Sequence, residues 1–177
     1  LSVAFTCICL AMRYGYPIDQ AEVAGMLHDC AKGYDNDTII RHCEKKGIEI
    51  TEDERKAPAV LHAKYGAWLA ENTYDIHDQE ILDAIACHTT GKPAMGLLDK
   101  ILYVADYIEP RRSKAANLTA MRKLAFIDLD EACLEIMESI LVYLKSTGCQ
   151  VDPMTEAACE DMRRVVSERK KETAGPE

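Results

Sequence analysis

Apolar residues in this chain recur at three- and four-residue spacing, segment after segment, and nowhere form the alternating run of a half-buried strand. That pattern points to an all-α fold. Val3 to Tyr14 is apolar on nearly all sides until Gly15-Tyr16-Pro17 breaks it. A second helix is predicted from Asp19, acting as N-cap, to Lys32. Asp35-Asn36-Asp37 starts a third, amphipathic through Ile39, Ile40 and Cys43, and Gly47 ends it. After Pro58 a helix carries Leu61, Tyr65, Trp68 and Leu69, and another, starting near Asp78, aligns Ile81, Leu82, Ile85 and Ala86 before His88. Thr89-Thr90-Gly91-Lys92-Pro93 reads as a loop. Leu97 to Ile108 is the most apolar later helix and stops at Glu109-Pro110. A short helix near Leu118–Ala125, a long one capped by Asp128 and reaching about Lys145, and a last one capped by Thr155 complete the reading.

Length and composition narrow the setting. The 177 residues suit one domain, expected over 1–172, with a frayed tail at 173–177. One Trp and two Phe leave the core mainly aliphatic. No apolar run reaches the roughly 18–20 residues of a membrane span. Leu1 to Met12 is apolar but has neither a basic leader nor a small-residue cleavage site, which argues against a signal peptide. The eight cysteines are scattered without a CxxC pair, so reduced thiols in a cytoplasmic protein are expected rather than a disulfide framework or a zinc finger. A formal net charge of −9 argues against binding a nucleic-acid polymer, although local cations can still hold a small anion.

Against this aliphatic background a few polar residues stand out. His28 and Asp29 close the apolar stretch Ala21–Leu27, where burying either group costs free energy unless it is paired or binds a metal. A histidine bonded to a backbone carbonyl in the core is the bland alternative. Asp106 sits among Leu102, Tyr103, Val104 and Ala105 and calls for a metal or arginine partner. His62, in the Trp68 helix, reads equally well as a satisfied core residue or a functional one, and His88, at a helix C-terminus, can simply favour the macrodipole. His42 and His77 look like surface or helix-start residues with no assigned role. Taken together, His28, Asp29, His62, His88 and Asp106 offer mixed nitrogen and oxygen ligation, which suits Fe, Mn or Zn. Of the nearby cations Lys32, Lys92, Lys100, Arg111 and Arg112, the last is favoured as a phosphate clamp by its place after the Glu109-Pro110 break.

Three blocks in order carry a family resemblance: Ala24-Gly25-Met26-Leu27-His28-Asp29-Cys30-Ala31-Lys32, His88-Thr89-Thr90-Gly91-Lys92-Pro93-Ala94-Met95, and Ala105-Asp106-Tyr107-Ile108-Glu109-Pro110-Arg111-Arg112. A weaker match is the Pro153–Thr155 turn. The sequence resembles the HD-domain metal-dependent phosphohydrolases, and more closely the bacterial YqeK family, over almost its whole length. The resemblance implies an HD-domain helical bundle that hydrolyses diadenosine tetraphosphate symmetrically to two ADP, with one or two iron ions and with Mn or Zn as alternatives. It implies His28, Asp29 and Asp106 as metal ligands and Asp29, His62 and His88 as catalytic residues. The nucleotide, a dinucleoside polyphosphate or an ADP- or GDP-like molecule, would meet Asp29, His62, His88, Thr89, Asp106 and Arg112. It would be covered by Val151, Asp152, Pro153, Met154, Thr155 and Glu156. Water would attack a central phosphorus in line while metal and arginine stabilise the developing charge. A homodimer is left open, and no membrane partner is expected.

The family carries one more histidine ligand, ahead of a valine that aligns with Val3. Aligned on Arg13-Tyr14-Gly15, it would fall two residues before Leu1. The start inside a helix, without Met, leads to the expectation of a fragment beginning just inside the site; the other reading is a degenerate copy. Two functional alternatives stay open: another HD-type hydrolase of nucleoside monophosphates or a signalling nucleotide, and a non-catalytic nucleotide-binding module.

Overall fold

Residues 1–174 are described by the computed structural model, and no strand occurs among them. The helices are α1 (Ser2–Tyr14), α2 (Ile18–Leu27), α3 (Asn36–Lys46), α4 (Glu52–Lys56), α5 (Leu61–Tyr74), α6 (Gln79–Cys87), α7 (Leu97–Ile108), α8 (Leu118–Leu124), α9 (Leu129–Ser146) and α10 (Pro153–Ala174), with a 3-10 turn at Pro58–Val60 before α5. Of the tail expected at 173–177, the last three residues lie outside the described residues, and α10 runs to Ala174.

Most boundaries follow local chemistry. The side chains of Asp35, Asp78 and Asp128 accept backbone N–H groups at the starts of α3, α6 and α9. Three boundaries correct the sequence reading. First, α2 starts at Ile18 behind Pro17, so Asp19 lies in the first turn and caps nothing. Second, α2 stops at Leu27 and not at Lys32: Cys30, Lys32 and Tyr34 donate to the carbonyls three residues back, a tighter winding that turns His28 and Asp29 out of the helix. Third, α10 is capped by Asp152, whose Oδ1 accepts the Met154 amide at 2.8 Å, while Thr155 lies buried in the first turn. The helix α4 carries a signal that the periodicity does not reveal, a capping box in which Thr51 and Glu54 bond each other's backbone N–H.

Two hydrophobic clusters divide the interior. The larger, built by α1, α2, α6, α7, α9 and α10, fully buries Leu10, Ile85, Ile101, Leu102, Ile136 and Met137. Each such side chain contributes about 1.5–3 kcal/mol by leaving water. The smaller joins Ala31, Ile39, Cys43, Leu61 and Tyr65 between α3 and α5. The polar motif residues meet where these two clusters adjoin.

Two glycines make that meeting possible. At Gly25 a Cβ would lie 2.6 Å from Ala4 Cα, so α1 crosses α2 at backbone contact. Gly91, in the loop after His88, has φ +70° and would press a Cβ to 2.8 Å from Met137 Cε. The eight cysteines are free thiols. No helix among the described residues is long and apolar enough to cross a membrane.

Candidate metal centre

Three histidines are set by one local device. His28 and His88 follow the last turns of α2 and α6, and His62 lies in the first turn of α5. In each, Nδ1 pairs with the carbonyl three residues earlier: His28 with Gly25 at 2.9 Å, His62 with Ala59 at 2.6 Å, His88 with Ile85 at 2.8 Å. Donation from Nδ1–H orients each ring and reserves Nε2 for a ligand. The bland reading, a core histidine satisfied by a carbonyl, therefore describes half of each ring.

The other halves converge. His62 Nε2 lies 3.2 Å from His88 Nε2, and Asp29 Oδ1 sits 3.3 Å from the former and 3.5 Å from the latter. His28 Nε2 is 3.4 Å from Asp29 Oδ2 and 3.6 Å from Asp106 Oδ1, on the last turn of α7. All three histidines are buried. Burial would lower the His28 pKa, but the Asp106 and Asp29 carboxylates outweigh it and raise it to about 9. Burial likewise opposes ionisation of Asp29, yet His28, His62, His88 and Lys32 hold its carboxyl far below the usual range. His88, the most deeply enclosed, is pushed down by burial and stays neutral.

A metal fits this arrangement. His28 Nε2 and Asp29 Oδ1 are buried without a hydrogen-bond partner, a cost that a cation would relieve. One set of donors that could share an ion is His28, Asp29 and His88, whose ligand atoms lie within 4.8 Å of one another. His28 Nε2 and His88 Nε2 stand 3.4 and 3.5 Å from the Asp29 oxygens, a spacing that suits nitrogen and oxygen ligands about 2.0–2.2 Å from one ion. Of the residues that the resemblance implies as ligands, His28 and Asp29 belong to this set, and Asp106 borders it through His28.

The centre floors a cleft of about 690 Å³. Thr89, Arg112, Asp152 and Thr155 line it together with His62, His88 and Asp106. The covering segment is divided: Asp152, Pro153 and Met154 line a neighbouring cleft of about 420 Å³, Val151 packs on the large core, and Glu156 pairs with Lys145 at 2.9 Å. Arg112 donates to the Asp106 carbonyl and to Asp106 Oδ2, at 3.1 and 3.2 Å.

Sequence reasoning missed Arg122, which donates to the carbonyls of Ile108, Glu109 and Arg112 at 2.8–2.9 Å and so fixes the loop that presents Arg112. It also missed Tyr103, one turn before Asp106, whose buried hydroxyl has no partner at the cleft wall. No local motif marks either: the Arg122 bonds are tertiary, and Tyr103 sits in an apolar run like its neighbours. The two histidines given no role stand apart, His42 on Tyr65 and His77 on Asp75.

Histidine and aspartate donors gathered from four helical segments beneath a cleft define the class, an all-α metal-binding domain. The family model "HD domain" matches residues 1–111. The symmetrical bis(5'-nucleosyl)-tetraphosphatase of Bacillus subtilis (strain 168) is 37% identical over 157 residues, 88% of this chain and 82% of that protein. The Staphylococcus aureus (strain NCTC 8325 / PS 47) protein of the same name is 34% identical over 150 residues, 81% and 74% of the two chains. Among solved structures, a predicted HD superfamily hydrolase involved in NAD metabolism from Clostridium acetobutylicum superposes with a TM-score of 0.90 at 35% identity, covering 93% of this chain and 86% of that one. The chain belongs to the HD domain family, whose hydrolases depend on metal.

Proposed function

We propose that this chain hydrolyses diadenosine tetraphosphate symmetrically to two ADP, with iron as the metal. What carries the reading is the convergence of three Nε2 atoms and two carboxylates at the cleft floor, in a chain over a third identical to a symmetrical tetraphosphatase. His28, Asp29 and Asp106 hold the metal, and His88 Nε2 lies close enough to join them. When bound, the metal supplies Lewis acidity that polarises a phosphoryl oxygen and acidifies water.

The remaining steps belong to the chain's own groups. His62 keeps its proton on Nδ1 against the Ala59 carbonyl, so its Nε2, 3.2 Å from His88 Nε2 and outside the His28–Asp29–His88 donor set, accepts the proton of the attacking water. Arg112, its guanidinium fixed by Asp106, meets the negative charge that builds on the non-bridging oxygens. Thr89, its Oγ1 3.4 Å from His88 Nε2, orients the phosphate, and the segment 151–156 borders the nucleotide. The leaving group is a nucleoside diphosphate, which departs readily once in-line attack begins.

Product analysis tests this reading. With iron loaded, diadenosine tetraphosphate is expected to yield two ADP per substrate. ATP plus AMP, or turnover of nucleoside monophosphates alone, would overturn it. Binding without turnover would point instead to a nucleotide-binding module.

A further inference from the structure

The cleft extends past the metal centre on both sides, and different helices build its two ends. At one end stand Arg112, Asp152 and Thr155, over α9. At the other stand Lys32 and Tyr34 from the turn after α2, Asn36 at the start of α3, Lys56 at the end of α4, and Pro58 just beyond it. A file of contacts orders the two ends. Arg112 reaches Asp106 at 3.2 Å, Asp106 faces His28 at 3.6 Å, His28 faces Asp29 at 3.4 Å, and Asp29 accepts from Lys32 at 2.7 Å. The donors thus lie between a guanidinium and an ammonium.

Symmetrical cleavage gives this layout a meaning. A substrate cut at its centre into two identical nucleoside diphosphates must lay one half on each side of the scissile bond. The nucleotide residues proposed above, Thr89, Arg112 and the start of α10, occupy one end only. We propose that the Lys32–Tyr34–Lys56 end is a second nucleoside diphosphate subsite, where the two lysines meet phosphate and the Tyr34 ring stacks on the base. The inference rests on the activity proposed above.

The side chains suit the task. Tyr34 is 43% exposed, yet its ring is braced by Tyr65, centroids 5.7 Å apart at 70°, and by His42 at 5.6 Å. Tyr65 in turn stacks on Trp68. A braced aromatic gives contact area with little ordering cost. Lys32 and Lys56 keep more than half of their side-chain surface in water, so each can leave its carboxylate partner, Asp29 or Asp53, for a phosphate. In a chain of net charge −9, two cations at this end favour an anionic ligand locally.

The test compares diadenosine tetraphosphate with adenosine 5'-tetraphosphate, which lacks the second nucleoside. Tyr34→Ala is expected to raise KM for the dinucleotide about tenfold, toward the lower range for losing a base–aromatic stack. The Ki of adenosine 5'-tetraphosphate should stay put, and Tyr34→Phe should restore the wild-type KM. In Tyr34→Ala an unchanged dinucleotide KM, or equal shifts for both ligands, would overturn the subsite. Lys56→Ala, on an exposed helix end, serves should Tyr34→Ala fail to fold: Lys56 meets phosphate, which both ligands carry, so the dinucleotide KM and the adenosine 5'-tetraphosphate Ki should rise together, and no rise in either overturns the subsite. Failure of the wild-type protein to release ADP would instead overturn the activity itself, so the two outcomes are distinguishable.

Discussion

Two charged clusters in this molecule use overlapping residue types and come to opposite ends. Around the start of α9, Asp130 takes Lys100 at 2.7 Å and Arg169 at 3.2 Å, Asp128 takes Arg169 and the Glu131 amide, and Lys170 reaches Glu131 at 2.7 Å. Burial would raise the Asp128 pKa, but the Glu131 amide and Arg169 hold it below the usual range. In the metal centre, by contrast, two carboxylates face three imidazoles, and His28 Nε2 and Asp29 Oδ1 remain without hydrogen bonds. The first cluster ties α10 to α9; the second is complete only when something else enters. Charge density alone does not separate a brace from a site. Unmet valence does.

The largest break in that comparison is Asp106→Ala. It removes a proposed ligand, takes from Arg112 its side-chain partner and strips His28 of a counter-charge, so bound metal and ADP release should both vanish while the protein stays folded. Wild-type metal content in the variant would remove Asp106 from the centre.

A graded effect comes from pH. In the metal-free protein His28 has its pKa raised to about 9, above its unfolded value, so its imidazolium stabilises the fold fully below about pH 6.5. That contribution fades as pH rises through about 9. Metal must displace this proton, so apparent affinity should climb by about tenfold per pH unit below about pH 9 and level off above it. Titration calorimetry near pH 7 in buffers of different ionisation enthalpy should show about one proton released per ion; a flat profile would mean that His28 is no ligand.

The smallest effect lies in the brace. Arg169→Ala should cost about 1 kcal/mol of stability, in keeping with partly exposed ion pairs, and leave turnover alone. Thermal melts and a rate assay check both halves, and a fall in turnover would mean that the two clusters are coupled.

The sequence held much of this, unevenly. Helix α7 was legible to the residue because its apolar run ends at Glu109-Pro110, and α3, α6 and α9 because aspartates mark their starts. The end of α2 was not, since nothing in Cys30-Ala31-Lys32 announces a change from four-residue to three-residue bonding. The site showed itself as polar residues among apolar neighbours, sharpened by three ordered motif blocks. Its neighbourhood did not: Tyr34 and Lys56 are exposed and carry no periodicity, while Arg122 acts only through carbonyls brought to it by the fold. Local pattern reports which face is buried. It is silent on which buried atoms will be left wanting.

Gly25 joins these two levels. Its carbonyl holds His28 Nδ1, and its missing side chain lets Ala4 approach to backbone contact. The α1–α2 crossing therefore works as a gauge block for the metal centre: its thickness sets where one ligand stands. Tuning such a centre does not require touching a ligand, because one methyl group added to the gauge would be read out as a displaced imidazole.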